Sequence, residues 1–448
     1  AESNLFELCR GAAKLHEGEA RVIVKSMKCE ALNKRFNNSP NHRITESPNH
    51  RITKSPSIMI QPANRLETVQ EYYFSKKLKE VAAMNAQGLD VISLGIGSPD
   101  MPPSEQPIKA LCDSAPLPHV HGYQPYVGIP ELRQGFADFY QKWYGVTLDP
   151  ASEIQPLIGS KEGILYVTLA FVNPGDKVLV PNPGYPTYSA LSSLLGAEVV
   201  YYDLKEENNW YPDFEALEKM DLSGVKLMWA NYPNMPTGAK ASTELFQKLV
   251  DFAHKHQIVV VNDNPYSLIL NQQPLSIMSI EGAKECCIEL NSMSKSHNMP
   301  GWRVGMIAAN ATFINWMLKV KSNVDSGMFK PMQLAAAAAL HNDDTWHEAM
   351  NMELYSKRRA VAEQIMDTLG CRYDKNQVGM FVWGKIPDHY QHVEELTEKI
   401  LHEARVFITP GFIFGRNGAR YIRISLCATQ EKLTEALERV KSQKSKDD

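Results

Sequence analysis

NSMSKSHNMPGWRVG, residues Asn291–Gly305, follows the apolar run CCIEL and carries Ser292, Lys295 and Arg303 in the order S-x-x-K-x7-R. An apolar run that stops at a polar cluster reads as a buried strand meeting a loop. A lysine at such a strand end stands between hydroxyls and near a second cation. Partial burial and a neighbouring positive charge both lower a lysine pKa. A Schiff-base lysine needs that, because the attacking amine must be neutral. Ser292 and Arg303 suit a phosphate dianion, the arginine through its planar fork. Taken alone, the segment also reads as a solvated Lys and Arg in a loop.

Outward from this segment, short apolar runs alternate with helical stretches. Strands are expected at Val91–Leu94, Lys177–Val180, Glu198–Tyr202, Val225–Ala230, Ile258–Asn262, Cys286–Leu290 and Val304–Ala308. Helices are expected at Gly163–Val172, Tyr188–Leu195, Glu244–His256 and Phe313–Ser322. This alternation argues an α/β fold of three layers, a mostly parallel sheet with helices on both faces. After Pro331 the texture changes. LAAAAALH and Thr345–Leu369 read as helices, and Gly379–Trp383, Val406–Thr409 and Tyr421–Leu426 as strands of a smaller α+β unit. Near the start, RLETVQEYYFSKKLKEVAAMNAQG reads as one amphipathic helix stopped by Gly88. The expected division is an extension over 1–63, a helix and part of a small domain over 64–104, a large domain over 105–330 and a C-terminal small domain over 331–443.

The chain has 448 residues, 44% hydrophobic and 22% charged, which excludes a disordered or fibrous protein. Its net charge of −4 argues against a nucleic-acid partner. No apolar run of about 18 residues is present, so no transmembrane helix and no membrane partner are expected. The first residues lack the long apolar stretch of a secretory signal. The seven cysteines are scattered, with no CxxC pair. A disulfide framework and a metal site are therefore not expected, and a reducing cytoplasm fits.

Residues 1–63 stand apart, with ten Lys+Arg against six Asp+Glu. They contain the repeat SPNHRITE from Ser39 and SPNHRITK from Ser47, then Ser55-Pro56. Proline every eight residues forbids a continuous helix. So polar a unit buries no core and reads as a low-complexity, disordered extension or translated sequence upstream of the true start. The alternative is a basic or metal-binding tail using His42 and His50.

In open parallel sheets, ligands bind beyond the carboxyl ends of the strands. Four polar clusters stand there: Gly159–Gly163, Asn231–Gly238, Asp263–Tyr266 and Ser292–Lys295. With VVVNDNPY, LIGSKEGI, PNPGYPTY, HGYQPYVGIPELR, LGIGSPD and YIRISL in order along it, the chain from about Asn64 to about Val440 resembles the fold-type I pyridoxal-phosphate enzymes, specifically the class I/II aminotransferases. Ser322–Gln333 and GSKEGI are similar to the branch containing LL-diaminopimelate and related aspartate- or alanine-type aminotransferases.

The resemblance implies the cofactor pyridoxal 5'-phosphate, bound in the large domain. Lys295 would form the Schiff base and then move the substrate α-proton. Asp263 would pair with the protonated pyridine nitrogen, and Tyr266 would bond the ring oxygen. Gly159, Ser160 and Lys161 would form a phosphate cup at a helix start, where backbone N–H groups favour an anion. Tyr185 would stack on the pyridine ring. Tyr123, in the pattern Y-x4-G-x3-LR, would reach the phosphate of a neighbouring subunit, which requires a homodimer. Gly97 and Arg423 would hold the substrate carboxylate.

Met235 departs from the pattern. The family motif is Asn-Pro-Thr-Gly, its Asn bonding the ring oxygen, whereas this chain reads NYPNMPTG. A methionine offers no useful donor. Either Asn234 replaces the amide or Tyr266 acts alone. His297, where the family often has a bulky aromatic, lines the pocket or fills space. A distal substrate carboxylate would need a second cation, with Lys321, Lys330 and Arg65 as candidates. The expected activity is amino transfer between an L-amino acid and a 2-oxo acid. The enzymatic alternative is a carbon–sulfur β-lyase or another elimination or decarboxylation enzyme of the same fold. A transcriptional regulator would need an N-terminal helix-turn-helix, and 1–63 shows no such pattern. A non-catalytic binding protein would have only Met235 in its favour.

Overall fold

The computed structural model describes residues 60–68 and 73–447. The octapeptide repeat, with His42 and His50, lies outside the described residues. Among the described residues thirteen strands run in chain order: β1 Ile92–Ser93, β2 Ile154–Leu157, β3 Lys177–Asn182, β4 Glu198–Asp203, β5 Val225–Ala230, β6 Val259–Asp263, β7 Cys287–Ser292, β8 Gly305–Ala308, β9 Arg372–Tyr373, β10 Phe381–Lys385, β11 Val406–Phe407, β12 Thr409–Pro410 and β13 Tyr421–Ser425. The longer helices are α1 Tyr73–Ala86, α2 Glu105–Ser114, α3 Pro130–Tyr144, α4 Ser160–Phe171, α5 Pro186–Leu194, α6 Thr243–His256, α7 Ala311–Lys321, α8 Lys330–Leu340, α9 Leu354–Thr368 and α10 Gln430–Asp447.

Seven strands form one sheet in the order β2-β8-β7-β6-β5-β3-β4. Only β8 runs antiparallel to its neighbours. β5, β6 and β7 are near-continuous apolar runs, as strands covered on both faces must be. One core packs α3 and α6 against a face of the sheet through Phe136, Tyr140, Phe246 and Leu249. Another packs α4 and α7 through Ile164, Val167, Ile314 and Met317. The alanines of α8 let it lie close on α3, where Gly135 leaves room for Leu340 and Ala337. Ala336, Ala339 and Leu340 therefore join the core of the larger sheet, although they lie past residue 331.

A second, antiparallel sheet has the order β12-β13-β10-β9, and β1 pairs in parallel with β11. Their core gathers Val382, Ile422, Ile424, Ile365 and Leu437, with α9 and α10 packed on it. β1 belongs to this unit, so the stretch after α1 docks with the C-terminal strands. Asp100 fastens it there through a bidentate ion pair with buried Arg358 of α9 at 2.6 and 2.9 Å. Leaving such a buried cation unpaired is strongly destabilising.

Two expected helices are not α-helical throughout. The stretch from Asn64 is a 3-10 turn over Asn64–Thr68 and α-helix over Tyr73–Ala86. Thr345–Leu369 passes through a π-helical segment, Glu348–Glu353, before α9. Cys286 ends a short helical turn, and the strand starts at Cys287. Among the described residues, no helix is long and apolar enough to cross a membrane.

Candidate active site

A cavity of about 380 Å³ opens beyond the carboxyl ends of β5, β6 and β7. Register explains the convergence: Ala230 pairs with Asn262, and Asp263 with Leu290. Asn231 and Asp263 therefore come out side by side, with Ser292 two residues past the Leu290 that pairs with Asp263. Ser292 caps a single turn, Met293–Ser296, accepting from the Ser294 N–H. That turn carries Lys295 into the cavity, its Nζ donating to the Gly97 carbonyl. Burial holds the Lys295 amine below the ordinary lysine range. Arg423 and Arg303 push the same way, while Cys427 and Asp263 oppose them.

Asp263 ends β6 and is 6% exposed. Burial pushes its carboxyl up to about 6; Glu289 adds to the rise, and Tyr188 and Lys295 counter it. Oδ2 accepts from the Tyr188 hydroxyl at 2.8 Å, and Oδ1 is buried without a partner among the described residues. Burial also raises the Tyr266 phenol, whose ring stands edge-on to Phe381 at 5.8 Å.

At one end of the cavity α4 begins. Gly159 precedes it at φ +81°, and a Cβ there would run into the Arg303 guanidinium. Gly305 likewise has no room for a side chain, with the Ser160 N–H and Asn291 carbonyl each 2.7 Å from where a Cβ would stand. Arg303 donates to the Pro300 carbonyl at 2.9 Å and reaches Ser294 at 3.4 Å. Ser160, Lys161, Ser292, Ser294 and Arg303 all line this end. A helix start, hydroxyls and a guanidinium together can hold an anion.

Arg423 stands at the other end, 4% exposed on β13. Its guanidinium lies over the Phe381 ring at 4.0 Å and the Phe414 ring at 4.6 Å. One amine donates to the Gly95 carbonyl at 2.8 Å. Gly97 lies against the Phe381 ring, which leaves no room for a Cβ. Tyr185, the N-cap of α5, lines the wall between the two ends.

The fold thus brings Gly97, Ser160, Lys161, Tyr185, Tyr266, Ser292, Lys295, Arg303 and Arg423 into one cavity, while Gly159 and Asp263 stand behind its wall, against Arg303 and bonded to Tyr188 respectively. Such an arrangement can hold a phosphate-bearing ring at one end and a carboxylate at the other, with a buried amine between. This chain, over residues 89–440, matches the family model described as aminotransferase class I and II.

The chain belongs to the class I and II aminotransferases. This aminotransferase is 40% identical over 385 residues to the LL-diaminopimelate aminotransferase of Dehalococcoides mccartyi strain 195, covering 86% of this chain and 99% of that one. It is 38% identical to the enzyme of the same name from Aquifex aeolicus, covering 86% and 100%. Substrate-bound BacF from Bacillus subtilis is similar in structure, with a TM-score of 0.80, 36% identity and coverage of 86% and 98%. So is an aromatic aminotransferase from Pyrococcus horikoshii OT3, with a TM-score of 0.76, 30% identity and coverage of 84% and 97%.

The cofactor of the aminotransferase is pyridoxal 5'-phosphate, and the cavity fits it. The glycine cradle around Arg303 suits the phosphate, and the orphaned Asp263 Oδ1 suits a protonated ring nitrogen.

Several expected residues are not brought to the cavity. Asn234 is turned into its own loop, accepting from the Thr237 hydroxyl at 2.8 Å. Asn231 lines the cavity instead, and Met235 stands beside it. Tyr123 lies outside, 93% exposed. Lys321 is buried in an ion pair with Asp325, and neither Lys330 nor Arg65 is on the cavity wall. His297 is buried among Phe139, Trp346 and His347. Asn231, Ser294 and Tyr188 are cavity residues that sequence reasoning passed over, although all three lie inside motifs it quoted. Away from the cavity, Glu80, Glu398 and His402 stand together. Lys77 already bridges both carboxylates, at 2.8 and 2.6 Å.

Proposed function

We propose that Lys295 is the catalytic lysine of this aminotransferase, the reading carried by one observation: its amine enters the cavity that Arg303 and Arg423 also line and bonds the Gly97 carbonyl there. When bound, pyridoxal phosphate supplies the carbonyl carbon that carries the amino group and the ring that takes up electrons as the substrate α-proton leaves. Lys295 Nζ, whose pKa burial lowers, is the base for that proton. Asp263 faces the ring nitrogen, and a cation there draws the carboxyl back down from about 6. Gly159, Ser160, Lys161, Ser292 and Arg303 hold the phosphate. Tyr185 packs on the ring and Tyr266 bonds its oxygen. Arg423, with Gly97, grips the substrate carboxylate, and the Phe381 and Phe414 rings exclude water and strengthen that ion pair.

Tyr123 completes the site of a second copy in a homodimer, a reading supported by its exposure next to the His121–Phe329 stack. The names of the relatives make LL-diaminopimelate the first amino donor to test. A cytoplasmic location is supported by five described cysteines that are all free.

The test is borohydride reduction of the loaded protein, then digestion and mass spectrometry. The cofactor mass is expected on the peptide containing Lys295, and a label elsewhere overturns the assignment. A titration with L-amino acids, LL-diaminopimelate included, then identifies the donor by accumulation of pyridoxamine phosphate. Pyruvate and ammonia without that product would mark an elimination enzyme.

A further inference from the structure

Tyr188 closes the segment PNPGYPTY, and none of the roles above uses it. It sits three residues after Tyr185 at the start of α5, on the same helix face. One helix start therefore delivers two phenol rings to the cofactor site. Tyr188 is fully buried. Its ring stacks on Trp229 of β5 at 4.9 Å with an interplanar angle of 3°, and stands edge-on to Tyr185 at 5.5 Å. Its hydroxyl donates to Asp263 Oδ2 at 2.8 Å, while Asp263 Oδ1 has no partner among the described residues. Asn231 fixes the backbone of the same residue by donating to the Asp263 carbonyl. Backbone and one oxygen are thus tied, and the other oxygen is left for a ligand.

We propose that Tyr188 is a positioning residue: its hydroxyl holds Asp263 by Oδ2, leaves Oδ1 for the cofactor's ring nitrogen, and so keeps the shared proton on that nitrogen. This rests on the reading that Asp263 meets the ring nitrogen. The chemistry follows from charge. A donor on Oδ2 draws negative charge away from Oδ1 and makes Oδ1 the weaker base. Without the donor, Oδ1 pulls the proton toward itself, and the ring becomes a poorer electron acceptor. The Trp229 stack fixes the plane of the phenol, so the hydroxyl is already aimed before any ligand binds.

The experiment compares wild type, Tyr188→Phe and Asp263→Asn, each loaded with pyridoxal phosphate carrying 15N in the ring. Phenylalanine keeps the stack on Trp229, so a purely structural role moves neither readout. In Tyr188→Phe the ring-nitrogen resonance is expected to move toward the unprotonated position. The kcat of the first half-reaction should fall about tenfold, the scale of one hydrogen bond to a charged group, with KM changed less than about twofold. If Tyr188→Phe matches wild type while Asp263→Asn shifts the resonance, the proposal is overturned and the reading of Asp263 stands. If neither variant shifts it, that reading fails as well. A fluorinated tyrosine at 188, a stronger donor of unchanged shape, serves if the phenylalanine variant does not fold. It should move the resonance the opposite way, and no movement counts against the proposal.

Discussion

Met235 Sδ lies 3.3 Å from Arg423 Nη1, so a thioether touches the guanidinium proposed to hold the substrate carboxylate. Sulfur is a weak acceptor, so this contact holds the guanidinium only loosely. The Gly95 carbonyl and two aromatic rings orient the guanidinium. Met235 thereby fills the wall between the two ends of the cavity without offering a hydrogen atom to either.

The first prediction concerns Met235→Asn. An amide at 235 supplies a donor toward the ring oxygen. A donor favours the ionised form of that oxygen and lowers the pH at which it titrates. The midpoint of the visible pH titration of the loaded enzyme should fall by about one unit, the equivalent of one modest charge-assisted bond. An unchanged midpoint would show that residue 235 does not face the ring oxygen.

Arg423→Lys keeps the charge and loses the planar fork and its contact with the Phe381 and Phe414 rings. Two hydrogen bonds to a carboxylate are each worth about 1.5–3 kcal/mol. One ammonium recovers part of this, so kcat/KM for the amino donor should drop about 10²-fold. The absorbance of the bound cofactor should not change, because Arg423 lies at the opposite end from the phosphate. Loss of cofactor in this variant would place Arg423 in the wrong role.

Much of the fold was legible because the central strands are buried on both faces. A run such as Val225–Ala230, apolar except for Lys226, then has one reading, and β5 has those limits. β2, IQPL, was not recognised. It is a short edge strand with a buried Gln155 and a proline, which breaks the apolar signal. The cavity was legible for a related reason: polar residues placed directly after apolar runs fall at the carboxyl edge of a parallel sheet. Which asparagine of NYPNM turns inward was not legible. Hydrogen bonds inside the turn decide it, Asn234 being held by Thr237 while Asn231 reaches across to Asp263. Lys321 misled for a comparable reason. Its partner Asp325 lies four residues on, in the loop past the end of α7, and nothing in the sequence distinguishes a buried pair from an exposed one.

Gly159→Ala tests the phosphate end. The backbone there has φ +81°, and a methyl group would enter the space of the Arg303 guanidinium. Both the strain and the displaced arginine weaken anion binding. The dissociation constant of pyridoxal phosphate should rise at least about tenfold, the value of one charge-assisted bond. Fluorescence titration of the cofactor-free protein measures it. Equal affinity in the variant would remove Gly159 and Arg303 from the phosphate site.

Asp263 gives the cofactor-free protein a pH-dependent weakness. Its carboxyl is raised from an ordinary 3.8 to about 6. Between those values the folded protein holds a proton that the unfolded chain has released. Stability from this group is therefore complete below about pH 4 and is lost as pH rises through about 6. The loss amounts to roughly 2–3 kcal/mol above pH 7. Asp263→Asn cannot ionise and escapes it. Without cofactor, the variant should melt a few degrees above wild type at pH 8, and the gap should close toward pH 4. With pyridoxal phosphate bound the order should reverse at pH 8, because a cationic ring nitrogen then pairs with the carboxylate and turns the same buried charge into an attraction. Scanning calorimetry of both proteins, with and without cofactor, decides it. A variant less stable than wild type in all four conditions would mean that Asp263 is held by the fold for its hydrogen bonds alone.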